Sequence, residues 1–244
     1  MNTELIDKIR HYVVSHISEF HEARVNNLNK LKLKKVLAHK NPYLFRAKDT
    51  ETAESIVRTI VDAFLSSGEE TIFGDWLEGL AIFVNQQVYG GSKSSAKGVD
   101  LEFDKDGCHY LVAIKSGPNW GNSSQIKRLV DEFKSAKKTL RTSRSNIRVE
   151  AVNGCCYGKD RNPDKGDYYK YCGQDFWEFI SGEPELYTEL IEPLAADAKV
   201  RNDEFKKQYS IKINLFVREF LESFCKEDGS IDWEKIVKFN SGRA

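Results

Sequence analysis

Apolar residues recur at three- and four-residue steps through the first third of the chain. Leu5, Ile9, Tyr12, Val13, Ile17 and Phe20 form one helical stripe, which Val25, Leu28, Leu31, Val36 and Leu37 continue with interruptions. Asn41-Pro42 ends that arm, since a proline biases the residue before it away from helix. Thr52 to Leu65 predicts another helix, stopped by Ser66-Ser67-Gly68, and Phe73 to Val88 a further one ahead of Gly90-Gly91. The pattern then changes to period 2. Two apolar-rich runs, Gly98 to Phe103 and Tyr110 to Gly117, flank Asp106-Gly107, which predicts a β-hairpin. Asn122 to Leu140 predicts an amphipathic helix with Ile126, Leu129, Val130 and Phe133 inward, and Ile147 to Tyr157 the next strand. After Gly173 the pattern is mainly helical, with Phe176, Trp177 and Phe179 packing first.

With 244 residues, 40% hydrophobic and 30% charged, the chain can bury one sizeable α/β core without needing a second. The expected organisation is a single domain over 1–244, with a helical arm at 1–68, an α/β core at 69–173 and a helical part at 174–244. The five cysteines, Cys108, Cys155, Cys156, Cys172 and Cys225, are odd in number and lack zinc-ligand spacing, so they read as reduced core thiols. The histidines show no ligand spacing either. No apolar run is long enough to span a bilayer, and Met1 to Asp7 lacks the pattern of a signal peptide, so the expected location is cytoplasmic, with no membrane partner.

A net charge of zero argues weakly against a nucleic-acid partner until its distribution is read. Residues 30 to 48 carry seven Lys/Arg and no Asp/Glu, residues 91 to 148 carry twelve against six, and residues 171 to 204 carry two against nine. Each run alone is ordinarily a solvated face. Together they are compatible with a basic surface that takes a polyanion while an acidic one faces away.

The candidate chemistry lies on the hairpin. Alternation puts Asp100 and Glu102 on one face of the first strand and Ala113 and Lys115 on one face of the second. An acid facing a lysine suits metal-dependent phosphodiester hydrolysis, in which a carboxylate holds Mg²⁺ and an ammonium steadies the attacking water. Taken singly, Asp100 reads as a strand-edge aspartate and Lys115 as a snorkelling lysine. Their joint occurrence with Gly98 before the acid, the tight turn, and the polar loop Ser116-Gly117-Pro118-Asn119-Trp120-Gly121 after the lysine favours a site.

The order helix, strand, strand, helix, strand resembles the core of the PD-(D/E)XK nucleases. Phe73-Gly74-Asp75-Trp76-Leu77-Glu78, Gly98-Val99-Asp100, Ile114 to Trp120 and Cys156-Tyr157-Gly158-Lys159 resemble the type II restriction endonucleases of the PmeII-like group, as do Lys40 to Lys48 and Gly173 to Trp177. The resemblance implies a central mixed sheet flanked by helices, with helical N- and C-terminal extensions. It also implies Mg²⁺-dependent, sequence-specific hydrolysis of double-stranded DNA by a homodimer. One position departs from the pattern, because Ala113 stands where the superfamily has an acid two residues before the lysine. A methyl group cannot hold a cation, so Asp100 and the carbonyl of Ile114 or Ala113 need a second carboxylate. Glu78 is the preferred donor, on the preceding helix, where several superfamily members carry an acid; Glu102, Asp131 and Glu132 are the alternatives. Expected DNA contacts are Ser116, Asn119, Trp120, Asn122, Ser123, Ser124, Gln125, Lys127 and Lys134. Two other readings stay open: a catalytically inactive DNA-binding module of the same fold, and a non-specific repair nuclease.

Overall fold

The computed structural model describes residues 3–143 and 147–243. The chain divides into two compact units, one of residues 1–17 and 73–196, the other of residues 18–72 and 197–244.

The first unit is built on a five-stranded sheet in the order β1-β2-β3-β4-β5. Its strands are β1 (Ser92–Lys93), β2 (Leu101–Lys105), β3 (Cys108–Lys115), β4 (Arg148–Cys155) and β5 (Tyr169–Cys172). The first three are antiparallel neighbours, whereas β3, β4 and β5 run parallel, giving the mixed sheet expected of the α/β class. The hairpin turns at Asp106 and Gly107, both at positive φ, the geometry that favours Asp-Gly in two-residue turns. A parallel step from β3 to β4 needs a crossover, supplied by helix α5 (Ser123–Ser143). Leu129, Phe133 and Ala136 of α5 pack on Leu111, Ala113, Val149 and Ala151 of the sheet. Ile126, expected inward, is instead 39% exposed. It sits in the first turn, before the helix meets the sheet.

Towards the C-terminal end of the unit, helix α6 (Gln174–Ser181) packs closely on β4, where a side chain at Gly154 would run into the Phe176 ring. Trp177 donates its indole N–H to the Cys156 carbonyl at 2.9 Å. Two short helices, α7 (Leu186–Glu189) and α8 (Ile191–Leu194), complete this end.

The longest helix corrects the sequence expectation. Ala53–Tyr89 forms a single helix, α4, where a stop was expected at Ser66-Ser67-Gly68. Serine and glycine lower helix propensity by up to about 1 kcal/mol each, a modest cost that tertiary packing overrides. Gly68 serves a close approach here, since a Cβ would lie 3.3 Å from the Asn27 amide of α1 (Thr3–Lys30), and Arg24 of α1 pairs with Glu69 at 2.7 Å in the next position. The break signal marks a helix–helix contact.

The second unit is all helical. The later part of α1 and the earlier part of α4 join α2 (Leu33–Ala38), α3 (Pro42–Ala47), α9 (Ala198–Phe224) and α10 (Trp233–Ser241). Asn41 caps α3, its side chain accepting from Tyr43 N at 3.0 Å with Pro42 in the first turn. Leu28, Leu33, Leu37, Ile56, Ile60, Phe216, Phe220 and Ile236 form its core. Each fully buried side chain of this size stabilises by about 1.5–3 kcal/mol. Among the described residues no helix is long and apolar enough to cross a membrane, and all five cysteines are free thiols.

Candidate active site

Asp100 lies just before β2, and its backbone continues the ladder by donating to the Val112 carbonyl at 2.8 Å. Its Oδ2 accepts from the Ile114 amide at 2.7 Å, which fixes the carboxylate against the end of β3. Lys115 closes that strand. Its Nζ lies 3.7 Å from Asp100 Oδ2, donates to the Ile114 carbonyl at 2.8 Å, and sits 5.7 Å from the centre of the Trp120 ring. The hairpin therefore brings the acid and the lysine together as the alternation predicts, in a spot where each side chain retains partial exposure.

Glu78 reaches the same place from α4. The helix is braced there by Trp76, whose indole donates to the His16 carbonyl at 3.1 Å, and by Tyr12 stacked on Phe83 at 4.1 Å. The Glu78 carboxyl is raised above its ordinary value, first by burial and then by the negative charge of Asp100, while Lys93 and Lys115 pull it down. Lys93 on β1 approaches it at 3.4 Å. Glu78 thus shares the field of both hairpin groups.

The other acids considered from sequence have different partners. Glu102 bonds to the Ser94 hydroxyl and lies 3.3 Å from His109 Nε2, while His109 Nδ1 meets Asp104 at 2.8 Å. Glu132 accepts from Arg128 at 2.9 Å and faces Lys97 at 3.9 Å, and Asp131 is exposed on α5. Among the described residues no three His, Cys, Asp or Glu side chains cluster as metal ligands. The groups that could offer oxygen to a cation there are the Asp100 and Glu78 carboxylates and main-chain carbonyls. Of the two candidate carbonyls, that of Ile114 accepts from Lys115, and that of Ala113 accepts from Asn153 Nδ2 at 3.1 Å.

At position 113 the methyl group is fully buried beneath α5, in the same apolar cluster as Leu129 and Phe133. Its neighbour across β3 and β4 is Asn153, a buried polar residue that the sequence reading passed over. The available signal was a lone asparagine inside the otherwise uncharged, mostly apolar run Ala151 to Cys156.

The loop after Lys115 is held by β5 and by the connection that leads to it from β4. Lys170 donates to the Pro118 carbonyl at 2.8 Å, Tyr157 lies over Gly117, and Gly158 packs on Pro118. Several of the polar residues expected at DNA are engaged locally. Asn122 Oδ1 accepts from Gln125 N at 3.0 Å and from Ser124 Oγ at 2.7 Å, and Gln125 Oε1 accepts from Asn122 N at 2.9 Å, a reciprocal cap on α5. The Trp120 indole N–H turns inward to Asn153 Oδ1 at 2.9 Å. Asn119, Ser123 and Lys127 are exposed, Ser116 is half-buried, and Lys134 pairs with Asp167 at 3.0 Å. A hollow of about 860 Å³ runs along α5 and is lined by Lys97, Lys127, Arg128 and Glu132, but not by Asp100, Glu78 or Lys115. Asp100 and Lys115 are partly exposed outside it.

A family model described as type II restriction endonuclease EcoO109I matches residues 7–202, well over half of the chain. A search of curated proteins gave no match.

Proposed function

The chain belongs to the type II restriction endonuclease EcoO109I family, and from that premise we propose that it cuts double-stranded DNA at a specific sequence with Mg²⁺ bound between Asp100 and Glu78. The observation that carries the proposal is Asp100, just before β2, lying 3.7 Å from Lys115 at the end of β3, with Glu78 of α4 feeling the charge of both. Two carboxylates that repel each other, one of them raised by burial and then by the other's charge, suit a divalent cation, which relieves that repulsion. Mg²⁺ ordinarily keeps several waters and takes only one or two protein carboxylates, so this donor set fits it. Asp100, Glu78 and a main-chain oxygen at Ile114 would hold the ion. What the bound cation supplies is positive charge at the scissile phosphate and a more acidic water.

Lys115 provides the remaining function. Its ammonium would orient the attacking water and offset charge building on the phosphate oxygens. A lysine suits this place better than an arginine, because a compact ammonium fits beside one water and one oxygen where a guanidinium fork would bridge them. The narrower PmeII-like kinship is part of the same proposal and rests on the quoted motifs around Gly98-Val99-Asp100 and Ile114 to Trp120. A cytoplasmic location belongs to it too, since the DNA substrate is there.

Digestion of a plasmid of known sequence, with and without Mg²⁺, tests the proposal. Discrete Mg²⁺-dependent fragments are expected. A smear would point to a non-specific nuclease, and binding without cutting to an inactive module. Two active sites on a two-fold dimer would serve the two antiparallel strands, so light scattering should give twice the 27.9 kDa chain mass; a monomer with and without DNA counts against the dimer.

DNA affinity should be electrostatic despite the neutral total. Neutralising the exposed Lys127 by Lys127→Gln should weaken binding to cognate and unrelated duplexes alike and lower the salt slope by about one. Asn119→Ala should instead cost roughly 1–3 kcal/mol at the cognate site only. Fluorescence anisotropy over a salt series separates the two, and an unchanged slope in Lys127→Gln would place the phosphates elsewhere. Lys134, already paired with Asp167, should contribute less.

A further inference from the structure

Asn153 is fully buried in the middle of β4, and its amide is used at both ends. Oδ1 accepts from the Trp120 indole N–H at 2.9 Å, and Nδ2 donates to the Ala113 carbonyl at 3.1 Å. In the parallel register Asn153 faces Ala113, and the next residue on the same side of each strand gives the pair Cys155 and Lys115. The Trp120 ring lies 5.7 Å from the Lys115 ammonium. A buried amide, an indole and the lysine therefore form one connected series.

We propose that Asn153 is a positioning residue for Lys115, acting through Trp120. The inference rests on Lys115 being the ammonium that serves the reaction. A lysine stem is flexible, and its head is placed by what surrounds it. Two of the surroundings, the Ile114 carbonyl and Asp100 Oδ2, belong to its own hairpin. The third is the negative face of the indole, which attracts a cation, and that ring is oriented by its one donor. Only an amide serves both neighbours at this position: a carboxylate lacks the donor for the Ala113 carbonyl, and a leucine leaves the indole N–H unpaired. The loop itself is held separately by Lys170 on the Pro118 carbonyl and by Pro118 on Gly158. Loss of the Asn153 contact should therefore release the ring without releasing the loop.

The experiment combines NMR with single-turnover cleavage. The four tryptophans should give four indole N–H resonances, and Trp120→Phe assigns that of Trp120. Asn153→Leu should move this resonance and leave the other three in place. Asn153→Leu and Trp120→Phe should each lower the cleavage rate roughly 10- to 100-fold, the scale of a small misplacement of a reacting group, and the buried Asn153→Leu should keep its metal-free DNA affinity within about twofold of wild type. The double variant should be no slower than the worse single one, because both act through one contact. Trp120→Phe is on a partly exposed loop and keeps the test available if Asn153→Leu fails to fold. Wild-type cleavage by Trp120→Phe alongside an inactive Lys115→Ala would overturn the inference alone, as would additive losses in the double variant or a matching fall in the DNA affinity of Asn153→Leu. Wild-type cleavage by Lys115→Ala would overturn the reading of the site, and the inference with it.

Discussion

Asp100→Asn and Lys115→Ala should each reduce DNA cleavage by about 10²- to 10⁴-fold while leaving the far-UV circular dichroism unchanged. The asparagine is the sharper substitution at 100. Asp100 Oδ2 accepts the Ile114 amide at 2.7 Å, and an asparagine oxygen can keep that hydrogen bond while the charge is lost. Asp100→Ala also leaves the N–H of the buried Ile114 without its side-chain partner, a structural cost of about 1–3 kcal/mol that would blur the result. Lys115 is the simpler case, since its ammonium is partly exposed. DNA binding without metal should persist in both variants, because most affinity comes from phosphate contacts elsewhere on the surface. Wild-type cleavage by either variant would remove the hairpin from the chemistry.

Glu78→Gln should separate metal binding from folding. The Glu78 carboxyl is raised, chiefly by burial and then by Asp100, so the native protein holds that proton more tightly than the unfolded chain does. The sign follows: metal-free stability from this group is full below the ordinary carboxylate range and declines as pH rises through the raised value. Glutamine is neutral at all pH and removes that decline. The metal-free variant should therefore melt at or above the wild-type temperature near neutral pH. The wild-type protein should gain thermal stability on adding Mg²⁺, and the variant should lose most of that gain. Cleavage should fall with it and recover in part at high Mg²⁺ if the loss is in affinity. An unchanged Mg²⁺-induced shift in Glu78→Gln, with the shift lost in Glu102→Gln or Glu132→Gln, would assign the second carboxylate to that residue.

The hairpin, its Asp-Gly turn and the pairing of Asp100 with Lys115 were legible because they depend on local rules. Period-2 alternation and a two-residue turn set the register of neighbouring strands, and register sets which side chains meet. The amphipathic α5 follows from short-range pattern in the same way, whereas Asn122 and Gln125, read from sequence only as DNA contacts, also cap its first turn. The mixed α/β class was visible in the order of those elements.

What the pattern misread was decided at longer range. Ser66-Ser67-Gly68 carries every local sign of a stop, yet α4 continues through it because the packing of Asn27 and Arg24 against that turn outweighs a small propensity cost. The division into two compact units is a property of contacts distant in sequence, with α1 and α4 each giving one end to either unit. At the site, sequence could narrow the second carboxylate to a few acids but could not rank them by surroundings. Only the fold brings Glu78 into the field of Asp100 while giving Glu102 to Ser94 and His109 and Glu132 to Arg128. Asn153 is the plainest case. Its role depends on a carbonyl 40 residues away and an indole 33 residues away, and no periodicity along one strand encodes a partner on another.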